Sequence, residues 1–287
     1  MNTDSLMDTF KRKMLYHYCD MNTFVKILQS NSLWMTSANN FEDMTEFKVE
    51  PQYVKAILDS LKSKYSIDEN TYNRIVEVYA HDPFYVPPFV VCFSNTENND
   101  NQWREYGDNA GGICIGVAKE KLIKKYNMKK SFHPCNGKEY SILDVEYLDN
   151  SDKDFYGVIR KNIERMLSSK EFPCIDMISI MLDERRPFVK MRKYEKEDET
   201  RIIYNPSYII SKEIPWKYEE TIKTSSKYVC PHDGGGKQRW LLDIKDCTEE
   251  IYIGLKNNTT VGEIRQLLQK YTWPNDIYVY KDAEGVR

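Results

Sequence analysis

Glu195-Lys196-Glu197-Asp198-Glu199 places four acids in five positions and runs straight into Thr200-Arg201-Ile202-Ile203-Tyr204, which reads as a strand. Alternate strand residues share a face, so Glu197, Glu199 and Arg201 would point the same way. Such a pair suits chemistry at a glycosidic bond. One carboxylate holds a sugar hydroxyl and stabilises an oxocarbenium-like state, while the other orients or deprotonates the acceptor. Two close carboxylates also push one pKa upward. Arg201 would hold one of them ionised, or form a surface bridge of little energetic weight. The bland alternative is a solvated acidic face. Just upstream, Lys190-Met191-Arg192-Lys193 sets positive charge beside an acceptor, with Arg192 and Lys193 as substrate contacts.

Two further groups stand out. Trp103 and Tyr106, three residues apart, share one face of a helical turn and would stack on a flat heterocycle or anchor a core. His17 lies in the aromatic run Leu15-Tyr16-His17-Tyr18-Cys19, either at a binding edge or as a hydrogen-bonded core residue.

The elements that must position these residues are a strand over 15–19, a helix over 22–30 capped by Asn22 or Thr23, and a strand over 33–37. Helices follow over 50–64 and 68–80 and end near Pro83, Pro87 and Pro88. Phe89–Ser94 is a short buried strand, and 95–101 an Asn-rich turn. Gly111–Val117 is a strand opened by glycines, followed by a basic helix over 119–130. Further elements are a strand over 142–147, a long helical region over 155–182, a strand over 200–204, and a tail with strand 250–254, helix 261–271 and strand 276–280. Strands and helices mix without strict alternation, which predicts an α+β fold with a largely antiparallel sheet.

The 287 residues suffice for a sizeable core, and 41% apolar with 30% charged residues marks a globular chain. No apolar run nears the roughly 20 residues that span a bilayer, and the polar N-terminus lacks a signal core. The expectation is therefore a cytoplasmic protein with no membrane partner. Seven scattered cysteines, without a C-x-x-C, read as reduced thiols. A net charge of −3 gives no global steering to nucleic acid. His133-Pro134-Cys135 and Cys230-Pro231-His232 are spaced too tightly for a zinc knuckle, so no metal is expected. Asp233–Lys237 reads as a flexible glycine loop without the phosphate-loop pattern.

Taken in order, Leu15-Tyr16-His17-Tyr18, Ile27-Leu28, Leu33-Trp34, Cys92-Phe93-Ser94, Trp103 with Tyr106, Gly112–Gly116, Glu197-x-Glu199-x-Arg201 and Glu250–Gly254 resemble the bacterial domain-of-unknown-function family 2971 over nearly the whole chain. Phe41-Glu42-Asp43-Met44 departs from that family's Phe-Asn-Asp-Pro, and Cys19 from its Thr. More distantly, the opening block is similar to the His motif of the His–Tyr–Glu class of ADP-ribosyltransferases, with Tyr18 where Gly is usual. That resemblance implies a single ADP-ribosyltransferase-like domain over 1–287, with a split, mostly antiparallel sheet and helical insertions about 48–82 and 155–185. It implies NAD as cofactor, bound by His17 at a ribose hydroxyl, by the backbone of Tyr18 at the amide, and by Trp103 or Tyr106 at the nicotinamide ring. Glu199, with Glu197, would be catalytic. The acceptor would be a protein, a nucleic acid or water. The family's setting implies a toxin or antiviral-defence role, with an antitoxin or regulatory protein as partner. The alternative is a non-catalytic nucleotide- or nucleic-acid-binding module of the same fold.

Overall fold

The computed structural model describes residues 14–41, 51–80, 88–131, 139–148, 186–206, 228–229 and 238–281, with scattered helical positions between 157 and 168. The first unit is β1 (Met14–Cys19), α1 (Met21–Ser30) and β2 (Ser32–Ser37). Asp20, rather than Asn22 or Thr23, caps α1: its side chain accepts from the Thr23 backbone N–H at 2.8 Å. The helix buries Phe24, Ile27 and Leu28 and stops where Asn31 turns left-handed.

Then come α2 (Pro51–Tyr65), α3 (Glu69–Ala80), β3 (Phe89–Ser94), α4 (Asp100–Glu105), β4 (Ile113–Ala118) and α5 (Lys119–Tyr126). α5 is shorter than the basic run suggests, because Asn127 adopts a left-handed conformation, φ 49°. The strand expected over 142–147 starts earlier and breaks into β5 (Glu139–Asp144) and β6 (Glu146–Leu148). The chain continues with β7 (Val189–Met191), β8 (Glu199–Asn205), β9 (Tyr228–Val229), β10 (Arg239–Asp243), β11 (Thr248–Ile253), α6 (Val261–Lys270) and β12 (Tyr278–Lys281). The expected long helix over 155–182 lies mostly outside the described residues, as do 42–44, the two His/Cys pairs and the glycine loop.

The fold is α+β. A ten-stranded sheet runs β12-β11-β4-β1-β3-β2-β10-β9, with β8 on the other edge of β3 and β5 beyond it. Every pairing in it is antiparallel except β11 with β12. β6 and β7 pair separately, in parallel.

The sheet forks at β3. β8 pairs with β3 along its whole length. On the opposite edge β1 meets it only at Tyr16↔Ser94, and β2 only at Thr36↔Val90 and Ser37↔Phe89. Residues 91–93 therefore have no strand neighbour on that edge among the described residues.

The main core lies on one face, where Leu15, Phe89, Val91, Phe93, Ile115, Ile202 and Tyr204 meet α1, α5 and α6. Each such side chain is worth roughly 1.5–3 kcal/mol of burial. Tyr140, Tyr204 and Trp240 close one end, Trp240 donating to the Tyr140 hydroxyl at 2.9 Å. A separate small core joins α2 and α3 to Ile163. No helix among the described residues is long and apolar enough to cross a membrane.

Candidate functional site

The fork opens into a cleft of about 480 Å³. Its lining includes Tyr16, His17 and Tyr18 of β1, Trp34 and Thr36 of β2, and Val91, Cys92 and Phe93 of β3 at the fork. Gln102, Tyr106, Lys190, Tyr194, Glu197 and Glu199 complete the far side. Residues separated by some 180 positions in sequence thus meet in one concavity.

His17 sits on the core face of β1 with Leu15 and Cys19, while Tyr16 and Tyr18 take the other face. Its Nδ1 lies 3.3 Å from the Cys92 carbonyl oxygen, and its ring meets Phe93 edge-on at 5.9 Å. A carbonyl only accepts, so Nδ1 carries the proton and Nε2 is left as an acceptor. The imidazole thus caps a β3 carbonyl at the fork. Burial lowers its pKa, partly opposed by the Cys92 bond, so the ring is neutral.

The acidic pair reaches the cleft by a route that strand alternation does not give. Glu197 ends a 3-10 turn, Arg192–Glu197, and Asp198 turns left-handed with φ 44°. Only Glu199 and Arg201 belong to β8. Expected as three members of one strand face, the residues are instead gathered by Lys190 of β7. Lys190 Nζ lies 2.7 Å from Glu197 Oε2 and 3.5 Å from Glu199 Oε2. Arg201, wholly buried, donates to Glu199 Oε1 at 2.7 Å and Oε2 at 3.3 Å, and to the Pro187 carbonyl at 2.9 Å. It is a buried partner rather than a surface bridge.

Burial alone would raise the Glu199 pKa. The Arg201 charge and hydrogen bonds, with Lys190 behind them, outweigh it and bring the pKa down to about 2. The upward shift expected from carboxylate crowding therefore does not occur at Glu199, because two cations separate it electrostatically from its neighbour. Near neutral pH Glu199 is thus an ionised carboxylate and no proton donor.

The Asn-rich turn holds this corner in place. Asn99 caps α4 by accepting from the Asn101 and Gln102 N–H groups. Its amide donates to the carbonyls of Lys196 at 2.8 Å and Glu197 at 3.3 Å, and its own N–H bonds the Tyr18 hydroxyl at 3.1 Å. One residue thus ties β1, α4 and the glutamate turn together. Asn95 adds a second tie, its N–H donating to the Asp198 carbonyl at 2.9 Å.

The two aromatics expected on one helical face part company. Tyr106 lines the fork cleft and is 52% exposed. Burial of its phenol and the nearby Glu197 carboxylate push its pKa up to about 12, so it stays neutral. Trp103 packs edge-on against Tyr18 at 4.9 Å and lines a second, smaller cleft. The backbone does not separate them, since Tyr106 keeps its helical bond to the Gln102 carbonyl at 2.9 Å; the two rings border different clefts on either side of α4. Tyr18 spends its hydroxyl on Thr96 and Asn99, and its strand pairs with β4 opposite Cys114.

Arg192 and Lys193 are exposed and lie outside the cleft lining, and Lys193 sits over the Tyr194 ring. Lys190 is the cation of that run which enters. Sequence reasoning missed Trp34 as well, which lines the cleft while 50% exposed. Its signal in the sequence is its alternation with the apolar Leu33 and Met35, which puts it on the face of β2 opposite the core. Among the described residues no group of three His, Cys, Asp or Glu is placed to hold a metal ion.

Residues 102–202 match the model of a protein family described as of unknown function, DUF2971. That match spans the centre of the chain, about a third of its length. The matched stretch contains Tyr106, Lys190, Glu197, Glu199 and Arg201 and begins after His17 and Cys92. No curated protein matches the chain.

Proposed function

We propose that this protein binds NAD in the fork cleft and breaks its nicotinamide–ribose bond, passing ADP-ribose to a macromolecule or to water. The observation that carries this reading is the convergence of His17, Tyr106 and the Glu197–Glu199 pair, from three separate segments, on one cleft of about 480 Å³.

The lining fits a nucleotide of this kind in three respects. His17 Nε2 accepts from a ribose hydroxyl, because Nδ1 is committed to Cys92. Tyr106 and Trp34, both half exposed, offer aromatic faces to a flat ring. Glu199, held ionised by Arg201, sets a fixed negative charge where a positive oxocarbenium would develop. Glu197, held beside it by Lys190, orients the acceptor. A pyrophosphate would meet Thr36 and Asn40, since Lys190 is already engaged with both glutamates.

A second reading, a non-catalytic nucleotide-binding module, draws on one specific observation. Lys190, Glu197, Glu199 and Arg201 form a closed network of two cations and two anions, as a purely structural cluster would. Nicotinamide release from NAD, with and without cell extract, separates the readings. Tyr106→Ala and Glu197→Gln should abolish release while the protein stays folded. Release that persists in both variants, or NAD-dependent stabilisation without any release, refutes catalysis in this cleft.

A further inference from the structure

The opposite face of the β1–β4–β11–β12 half-sheet carries a second set of aromatics. Tyr252 stacks on Tyr280 with ring centres 4.9 Å apart and planes at 22°, and Tyr280 on Tyr278 at 6.3 Å and 18°. Tyr280 is 40% and Tyr278 63% exposed, so the ladder climbs out of the protein toward the sheet edge. At its inner end lies a cleft of about 260 Å³, lined by Trp103, Tyr252, Glu97 and Asp100 among others.

Two carboxylates face these rings with no cation partner among the described residues. Glu250 accepts from the hydroxyls of Tyr16, at 3.3 Å, and Tyr252, at 3.2 Å, and from no basic group. Gly116 makes this possible: a Cβ there would sit 2.9 Å from Glu250 Cβ and 3.2 Å from the Tyr16 ring. Glu97 is half-buried, takes part in no ion pair among the described residues, and acts electrostatically on Tyr16, Tyr18, Tyr252 and Glu250 alike. The cation of the cleft wall, Arg104, is turned to Glu105 and Asn101.

We infer that this face docks a protein segment presenting arginine, its guanidinium seated between Trp103 and Tyr252 against Glu97. Charge complementarity calls for a cation. Flat, near-parallel tyrosines favour a planar guanidinium over an ammonium, because it stacks on a ring while pairing with a carboxylate. The exposed ladder beyond the cleft gives the flanking residues of an extended segment a surface to lie on. The inference is independent of what occupies the fork cleft.

The test is fluorescence anisotropy of the purified protein with a labelled Gly-Arg-Gly-Arg-Gly peptide, against its citrulline counterpart, at low and moderate salt. The arginine peptide should bind at least about tenfold more tightly than the citrulline one. Glu97→Gln should lose that preference and Tyr280→Ala should weaken binding several-fold, each with an unchanged melting temperature. Equal affinity for both peptides, no binding, or insensitivity to Glu97→Gln overturns the inference. So does a single-stranded oligonucleotide that binds through Tyr280 more tightly than the peptide, since the ladder would then be a base-stacking surface.

Discussion

Replacing Arg201 by leucine tests the electrostatics of the fork cleft directly. Arg201 is wholly buried and gives Glu199 two hydrogen bonds and a charge; leucine would leave Glu199 with Lys190 at 3.5 Å as its remaining cation. Removing one partner of a buried pair destabilises by about 3–5 kcal/mol. The titration of Glu199 gives an independent figure. Its pKa falls from 4.5 to about 2, which at 1.36 kcal/mol per unit is about 3 kcal/mol. With an unfolding entropy of about 2.1 cal/mol/K per residue, a chain of this size should lose about 5–8 °C of melting temperature.

The sign of the pH effect follows. The folded pKa of Glu199 lies below the unfolded one, so its contribution is complete above about pH 4.5 and disappears as pH falls toward 2. Urea unfolding of wild type, Arg201→Leu and Glu199→Gln between pH 7 and 3 would measure this. The wild-type advantage over Glu199→Gln should shrink steadily below about pH 5. Parallel pH curves for those two proteins, or an Arg201→Leu midpoint equal to wild type, would refute the claim that Arg201 holds Glu199 ionised.

His17→Gln should flatten the stability profile between pH 7 and 5, read by chemical denaturation; the folded pKa of His17 is lowered, so the unfolded chain takes up its proton first as pH drops through about 6.5. Tyr106→Ala should change stability by less than about 1 kcal/mol, given its exposure, yet remove the thermal shift that the proposed NAD binding predicts at millimolar NAD. Asn99→Ala should cost about 1–2 kcal/mol as a lost helix cap, and should also lower activity by loosening the turn that carries Glu197. Gly112→Ala should destabilise by about 1–3 kcal/mol or prevent folding, since the new Cβ would lie 2.2 Å from the Cys19 carbonyl oxygen; its expression and melting temperature report this.

Buried strands such as Phe89–Ser94 and Ile113–Ala118 are legible in the sequence because they are short apolar runs between turn residues. α6 is legible because Thr260 and Glu263 spell a capping box. β10 went unread, although Trp240 and Leu242 alternate in it. Its partner β2 lies some 200 residues away, and pairing at that distance leaves no local mark. The site was partly legible for a related reason. His17, Tyr106 and the glutamates stand out by type, but their convergence depends on the fork, which is a property of pairing. The role of Lys190 depends on how β7 sits against the 3-10 turn, and the parting of Trp103 from Tyr106 on which cleft opens beside each ring. Periodicity within one segment reports neither.

The fork also has a kinetic meaning. β1 shares one ladder pair with β3, Tyr16↔Ser94, with the His17 imidazole standing in for the next rung. A ligand wedged in the cleft bridges the two arms of the sheet and acts as a clasp. Amide hydrogen exchange should register this as slower opening of β1 and of Val91–Phe93, while α2 and α3, which share a separate core, keep their own rhythm. Occupancy of the cleft could then be followed from the backbone alone, residue by residue, before any product is formed.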